Sequence, residues 1–151
     1  MNYIYLALKL VMNNKLKHIL AGMRKIMKNE SQQADQHFKQ CPSCGEVWQT
    51  QQNFLNDRNL NIIGYQVNFL RLELGYFLFN HNKCRTTLSL LANSFKNLYS
   101  GPVYKERKTQ TADCPEYCLK ESALDPCPAY CECAYVREII QIIRNWHKHA
   151  S

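Results

Sequence analysis

Apolar residues recur along the chain with two different periods, and the changes of period divide it into elements. Over residues 3–28, Tyr5, Leu8, Met12, Leu16, Ile19, Met23 and Ile26 return every three or four positions. That spacing places them on one face of a long amphipathic helix. Lys9, Lys15, Lys17, Arg24, Lys25 and Lys28 fall largely on the rest of its circumference. Residues 29–40 lose the periodicity and read as a polar linker, with a domain boundary near residue 38. Thr50 is suited to cap a short helix that ends at Asn56. Ile63, Tyr65, Val67 and Phe69 then alternate with Gly64, Gln66 and Asn68, the period of a half-buried strand. A turn at Glu73-Leu74-Gly75 leads into a second strand, Tyr76–Phe79, and the two form an antiparallel hairpin. Thr86–Leu90 reads as a third strand. Leu91, Phe95, Leu98 and Tyr99 mark a helix stopped by Ser100-Gly101-Pro102. Residues 103–113 are a polar loop. From Tyr135 onward, Val136, Ile139, Ile140, Ile143 and Trp146 line one face of a closing helix, with Arg137, Gln141 and Arg144 turned away from it.

These elements predict an α+β protein. It has a small antiparallel sheet with metal knuckles, a long N-terminal amphipathic helix, a Cys-rich segment and a C-terminal helix. Residues 1–38 form a basic helix and linker, and residues 39–151 a Cys-rich metal-binding domain.

Composition narrows the picture. A hydrophobic content of 46% is too high for a disordered chain of this charge density. The net charge of +7 is uneven: residues 1–40 carry seven basic against two acidic residues, and the rest carry twelve against ten. Basicity therefore belongs to the N-terminal helix. That helix suits a protein partner or a second copy of the chain, with nucleic acid or an anionic membrane surface as alternatives. The apolar run Tyr3–Met12 is broken by Lys9 and too short to span a bilayer, and no basic start of a secretory signal precedes it. These features predict a cytoplasmic chain, in which eight cysteines are reduced and available to metals.

The cysteines carry the chemistry. Cys41-Pro42-Ser43-Cys44-Gly45 places two thiols on a tight turn, where proline pre-sets the backbone and glycine permits a positive φ after the second thiolate. His81-Asn82-Lys83-Cys84 repeats the spacing directly after an apolar strand. Zinc takes four such ligands in a tetrahedron, so the ligand atoms of Cys41, Cys44, His81 and Cys84 should lie within about 4 Å of one another. The plain alternatives are a redox dithiol for Cys41 and Cys44, and a hydrogen-bonded turn histidine for His81. Over residues 41–90 the pattern resembles a zinc ribbon, or rubredoxin-like knuckle arrangement. It departs from it in using a histidine and in the 36 residues between Cys44 and His81. The resemblance implies a structural metal clip and no particular activity. The words Gly64-Tyr65-Gln66, Phe79-Asn80-His81 and Thr86-Thr87-Leu88 also resemble those of small bacterial Cys-rich proteins without an assigned role.

A second group comprises Cys114, Cys118, Cys127, Cys131 and Cys133. Cys114-Pro115-Glu116-Tyr117-Cys118 and Cys127-Pro128-Ala129-Tyr130-Cys131 echo one another and suggest twin ligand turns. Cys114, Cys118, Cys127 and Cys131 are then the preferred quartet, with Cys133 spare. A second zinc ion, an iron–sulfur cluster and disulfides compete here. The spacing falls one residue short of the radical S-adenosylmethionine motif, and the gap between pairs is too short for a disulfide-linked helical hairpin. No nucleophile elbow, phosphate loop or helical His-Glu-x-x-His motif is present. Asp57 and Glu73 read as turn acids, and His147 and His149 as solvated. The leading expectation is a non-enzymatic zinc-binding adaptor or regulatory module. An iron–sulfur or thiol redox protein and a nucleic-acid binder through the N-terminal helix are the alternatives.

Overall fold

The structure, a computed structural model, describes residues 37–148. The helix expected over residues 3–28 lies outside the described residues, as does His149. From Phe38 the chain forms one compact unit. A small hairpin pairs β1 (Lys39–Gln40) with β2 (Val47–Trp48). Helix α1 (Gln51–Asn56) follows, and the Thr50 side chain accepts a hydrogen bond from Asn53 N, the cap anticipated from its residue type. An antiparallel sheet in the order β3-β4-β5 comes next, built from β3 (Leu60–Gln66), β4 (Tyr76–His81) and β5 (Thr86–Leu91). Three 3-10 segments, Leu72–Leu74, Ala92–Leu98 and Tyr117–Leu119, and helix α2 (Ala134–Arg144) complete the unit. The described residues are thus mixed α and β, with small antiparallel sheets.

Three expectations need correction. The first strand starts and ends three residues early, at Leu60 and Gln66 instead of Ile63 and Phe69. A bulge between Ile62 and Gly64 explains the misreading. The extra residue switches the face that side chains occupy, so Ile62 and Tyr65 are buried and Ile63 is 43% exposed. Second, the helix expected over Leu91–Tyr99 is 3-10 over Ala92–Leu98. Its Asn93, Ser94 and Asn97 are weak helix formers. Gln51 Nε2 draws on Ser94 O and Asn97 Oδ1 from outside. Third, Arg137 does not face solvent but is fully buried.

The core is aromatic at one end and aliphatic at the other. Phe54 meets Trp48, Phe79 and Phe38 edge-on, with ring centres 5.1, 4.9 and 5.6 Å away. Phe95 joins Phe38, Phe77 and Phe79 at 5.7 Å each. The apolar face of α2 buries Val136, Ile139, Ile140 and Ile143 as its periodicity predicts, and packs on the Ala92–Leu98 segment and β3. Each such side chain contributes roughly 1.5–3 kcal/mol of burial. Trp146 Nε1 donates to Asn56 Oδ1 at 2.9 Å, tying the end of α2 to α1. On the outer side of β3, Tyr65 N donates to Glu121 O at 2.9 Å. Gly64 permits this approach, because a Cβ there would stand 3.1 Å from Glu121 O.

Candidate metal centre

Two hairpin turns face each other and supply the candidate ligands in pairs. The β1–β2 turn is closed by Cys41 N to Glu46 O at 2.8 Å and by Gly45 N to Cys41 O at 3.0 Å. The β4–β5 turn is closed by Arg85 N to His81 O at 2.7 Å. The two turns are built alike. In each, the residue after the second ligand donates to the carbonyl of the first and adopts a positive φ, 76° at Gly45 and 60° at Arg85. Glycine takes this conformation freely, whereas arginine takes it against steric resistance. Lys83, beside Cys84, pairs with Glu46, beside Gly45, and straps one turn to the other.

Cys41, Cys44, His81 and Cys84 come together, with all four ligand atoms within 4.8 Å of one another. Cys41 Sγ to Cys84 Sγ is 3.6 Å, Cys44 Sγ to His81 Nδ1 is 3.7 Å, and Cys84 Sγ to His81 Nδ1 is 3.3 Å. Bond lengths of about 2.3 Å to sulfur and about 2.0–2.1 Å to nitrogen give a tetrahedron with S–S edges near about 3.8 Å and S–N edges near about 3.6 Å. Three of the six edges therefore stand close to tetrahedral values without rearrangement, and the group as a whole is slightly looser than the expected ~4 Å. His81 and Cys41 are buried and Cys44 is exposed, so the group is sealed from the core side and opens outward through Cys44. His81 ends the central strand, paired with Leu60 and Thr86. Its ring packs at 74° to Trp48 with centres 5.2 Å apart, and Trp48 Nε1 is anchored on Asp57 Oδ2 at 2.9 Å. His81 Nε2 is buried and has no hydrogen-bond partner. The imidazole is thus oriented by strand and indole instead of by the usual outer hydrogen bond.

The thiols differ in acidity. The Thr86 side chain and backbone beside Cys84 hold its pKa at about 6, against the opposing effect of burial. At Cys44 the Glu46 backbone lowers the pKa, but local desolvation and the neighbouring thiols Cys41 and Cys84 outweigh it and push it up. A set of thiols with one thiolate already favoured is suited to a cation.

The second group is arranged differently. Cys133, which caps α2, has its Sγ 3.4 Å from Cys131 Sγ; Cys118, Cys131 and Cys133 are all buried in the core, and Cys127 is half-buried against it. The proton-sharing partner Cys133 and the nearby Arg137 guanidinium lower the Cys118 pKa, while Cys118 and burial push Cys133 up. Cys114 Sγ accepts from Glu116 N at 3.4 Å. The one sulfur contact of this group thus joins Cys131 of the preferred quartet to the fifth cysteine, Cys133. The twin turns also differ in form. Glu116 has φ 58°, whereas Ala129 has no positive φ. Among the described residues, no other group of three or more Cys, His, Asp or Glu side chains is gathered as tightly as the first. Nothing in the residue pattern marks the Lys83–Glu46 strap, the left-handed Arg85 or the burial of Arg137, beyond the placement of Glu46 and Lys83 directly beside ligand turns.

Comparison of the chain with protein families, curated proteins and solved structures gave no match. Among the described residues, no helix is long and apolar enough to cross a membrane.

Proposed function

We propose that the chain is a non-enzymatic binding or adaptor module whose fold is clipped by one zinc ion on Cys41, Cys44, His81 and Cys84. The convergence of the two like-built turns, with three ligand edges near tetrahedral values, carries this reading. Three thiolates and an imidazole suit zinc, and a site closed by four protein ligands leaves no position for substrate. The ion would join the β1–β2 hairpin to the β4–β5 hairpin, so its binding energy would become folding energy. The basic amphipathic periodicity of residues 3–28 supports that segment as the partner-binding arm. The test is elemental analysis of the full chain purified without oxygen, beside Cys44→Ser and His81→Ala. Each variant should lose one equivalent of zinc, and cobalt substituted into the wild type should give a tetrahedral sulfur–nitrogen spectrum. Undiminished metal in both variants rejects the site.

A further inference from the structure

The closing helix carries a buried cation that the first site leaves unexplained. Arg137 is fully buried. Its Nε and Nη2 donate to one backbone carbonyl, Asp125 O, at 2.9 and 2.7 Å, and its guanidinium lies 5.7 Å from the centre of the Tyr117 ring. Nη1 is buried with no partner, and among the described residues no carboxylate pairs with Arg137. A guanidinium stays charged, and a buried charge without a counter-charge is strongly disfavoured. One carbonyl and one ring face are weak compensation. Beside the weakly acidic phenols of Tyr117 and Tyr65, the neighbours that can become negative are thiols: Cys118 follows Tyr117 in the chain and feels the guanidinium, and Cys133, 3.4 Å from Cys131, lies one helical turn before Arg137.

We infer that Cys118, Cys127, Cys131 and Cys133 form a second, thiolate-bound metal centre whose negative charge Arg137 balances. A divalent ion held by four thiolates keeps a surplus of negative charge, and so does an iron–sulfur cluster on four thiolates. Either gives the buried guanidinium its counter-ion. Cys133 opens α2, so the positive end of an eleven-residue helix also faces the thiolates. Cys127 and Cys131 lie on irregular chain, and Cys118 on a single 3-10 turn, so three ligands can draw in around a metal. Cys114 is excluded, which distinguishes this quartet from the one that the repeated Cys-Pro-x-Tyr-Cys words suggest. Arg137 acts here as a positioning residue, balancing charge without touching the metal.

The experiment uses the full chain, produced with zinc and iron supplied and handled without oxygen. Metal and acid-labile sulfide are measured in wild type, Cys41→Ser/Cys44→Ser, Cys127→Ser/Cys131→Ser and Cys114→Ser. Wild type and Cys114→Ser should hold two centres, and each double variant should hold one. A colourless second centre identifies zinc; visible absorbance with sulfide identifies an iron–sulfur cluster. Arg137→Met should weaken the second centre at least tenfold in chelator competition, and Arg137→Lys should recover part of that loss. Retention of the first centre shows that the Cys127→Ser/Cys131→Ser, Cys114→Ser and Arg137 variants are folded. Alkylation of unmutated protein gives an independent reading. Cys114 should react at once, and half-buried Cys127 only after chelation. If Cys127→Ser/Cys131→Ser holds as much metal as wild type, or Cys127 reacts equally with and without chelator, the second centre does not exist. Failure of the first site would show instead as unchanged metal in Cys41→Ser/Cys44→Ser.

Discussion

Gly45 and Arg85 occupy equivalent places in the two ligand turns, and exchanging their chemistry should move stability in opposite directions. At Gly45, φ is 76° and an added Cβ would meet nothing within 4 Å. Gly45→Ala therefore tests the backbone alone. The left-handed conformation costs an L-residue about 1–2 kcal/mol, and the stiffer unfolded chain returns about 0.4–1 kcal/mol, leaving a loss near ~1 kcal/mol. Arg85 has φ 60°, is exposed, and its side chain makes no hydrogen bond or ion pair among the described residues. Arg85→Gly should relieve the same strain and gain about 1 kcal/mol by the converse argument. Denaturant titration of zinc-loaded and chelated protein measures both, and the thermal midpoint should move by about 4 °C in each direction for a domain of this size. Because the strain lies in the turns that offer the ligands, zinc affinity should follow with the same signs, by about fivefold. A neutral Gly45→Ala together with a destabilising Arg85→Gly would refute the matched-turn geometry.

Trp48→Phe keeps the ring against His81 but removes the hydrogen bond to Asp57, so stability should fall by about 1 kcal/mol in denaturant titration, with the zinc content unchanged. Phe95→Ala empties the meeting point of four rings and should cost about 3–5 kcal/mol, read as lost cooperativity or an unfolded near-ultraviolet spectrum. The Glu73 backbone and Arg71 hold the Glu73 carboxyl below its ordinary range. That contribution is present above the ordinary carboxylate pKa and lost as pH falls through the lowered folded value. Glu73→Gln should therefore shallow the acid limb of the stability profile and leave the neutral-pH ranking of other variants unchanged.

The first ligand group was legible because each pair is local in sequence. Cys41 and Cys44, like His81 and Cys84, are joined by a turn whose residues announce it, and the apolar strand before His81 shows where the second pair must sit. The second group offers no such local frame, because its cysteines lie on chain with little periodicity, where tertiary packing decides which thiols meet. The Cys-Pro-x-Tyr-Cys echo does not extend to the backbone, since Glu116 has a positive φ and Ala129 does not. The α2 stripe was read correctly for its aliphatic residues. Arg137 was misplaced because helical periodicity assigns a charged residue to solvent, and only a neighbouring segment can provide the carbonyl that keeps it inside. The bulge at Ile62/Gly64 likewise breaks a two-residue period in a way the alternation itself disguises.

The hydrogen bond from Tyr65 to Glu121 has a consequence for solubility. An outer strand offers unpaired amides and carbonyls that can template the strand of another molecule and seed aggregation. β3 is such a strand, and it carries exposed Ile63 beside the bulge. The segment between Cys118 and Cys127 covers it, with Glu121 O on Tyr65 N and Glu121 Oε2 accepting from Gln66 Nε2 at 2.7 Å. Whatever holds those cysteines in place therefore also guards the flank of the sheet. Oxidation or alkylation that frees this segment should appear first as precipitation of protein whose strands are still intact.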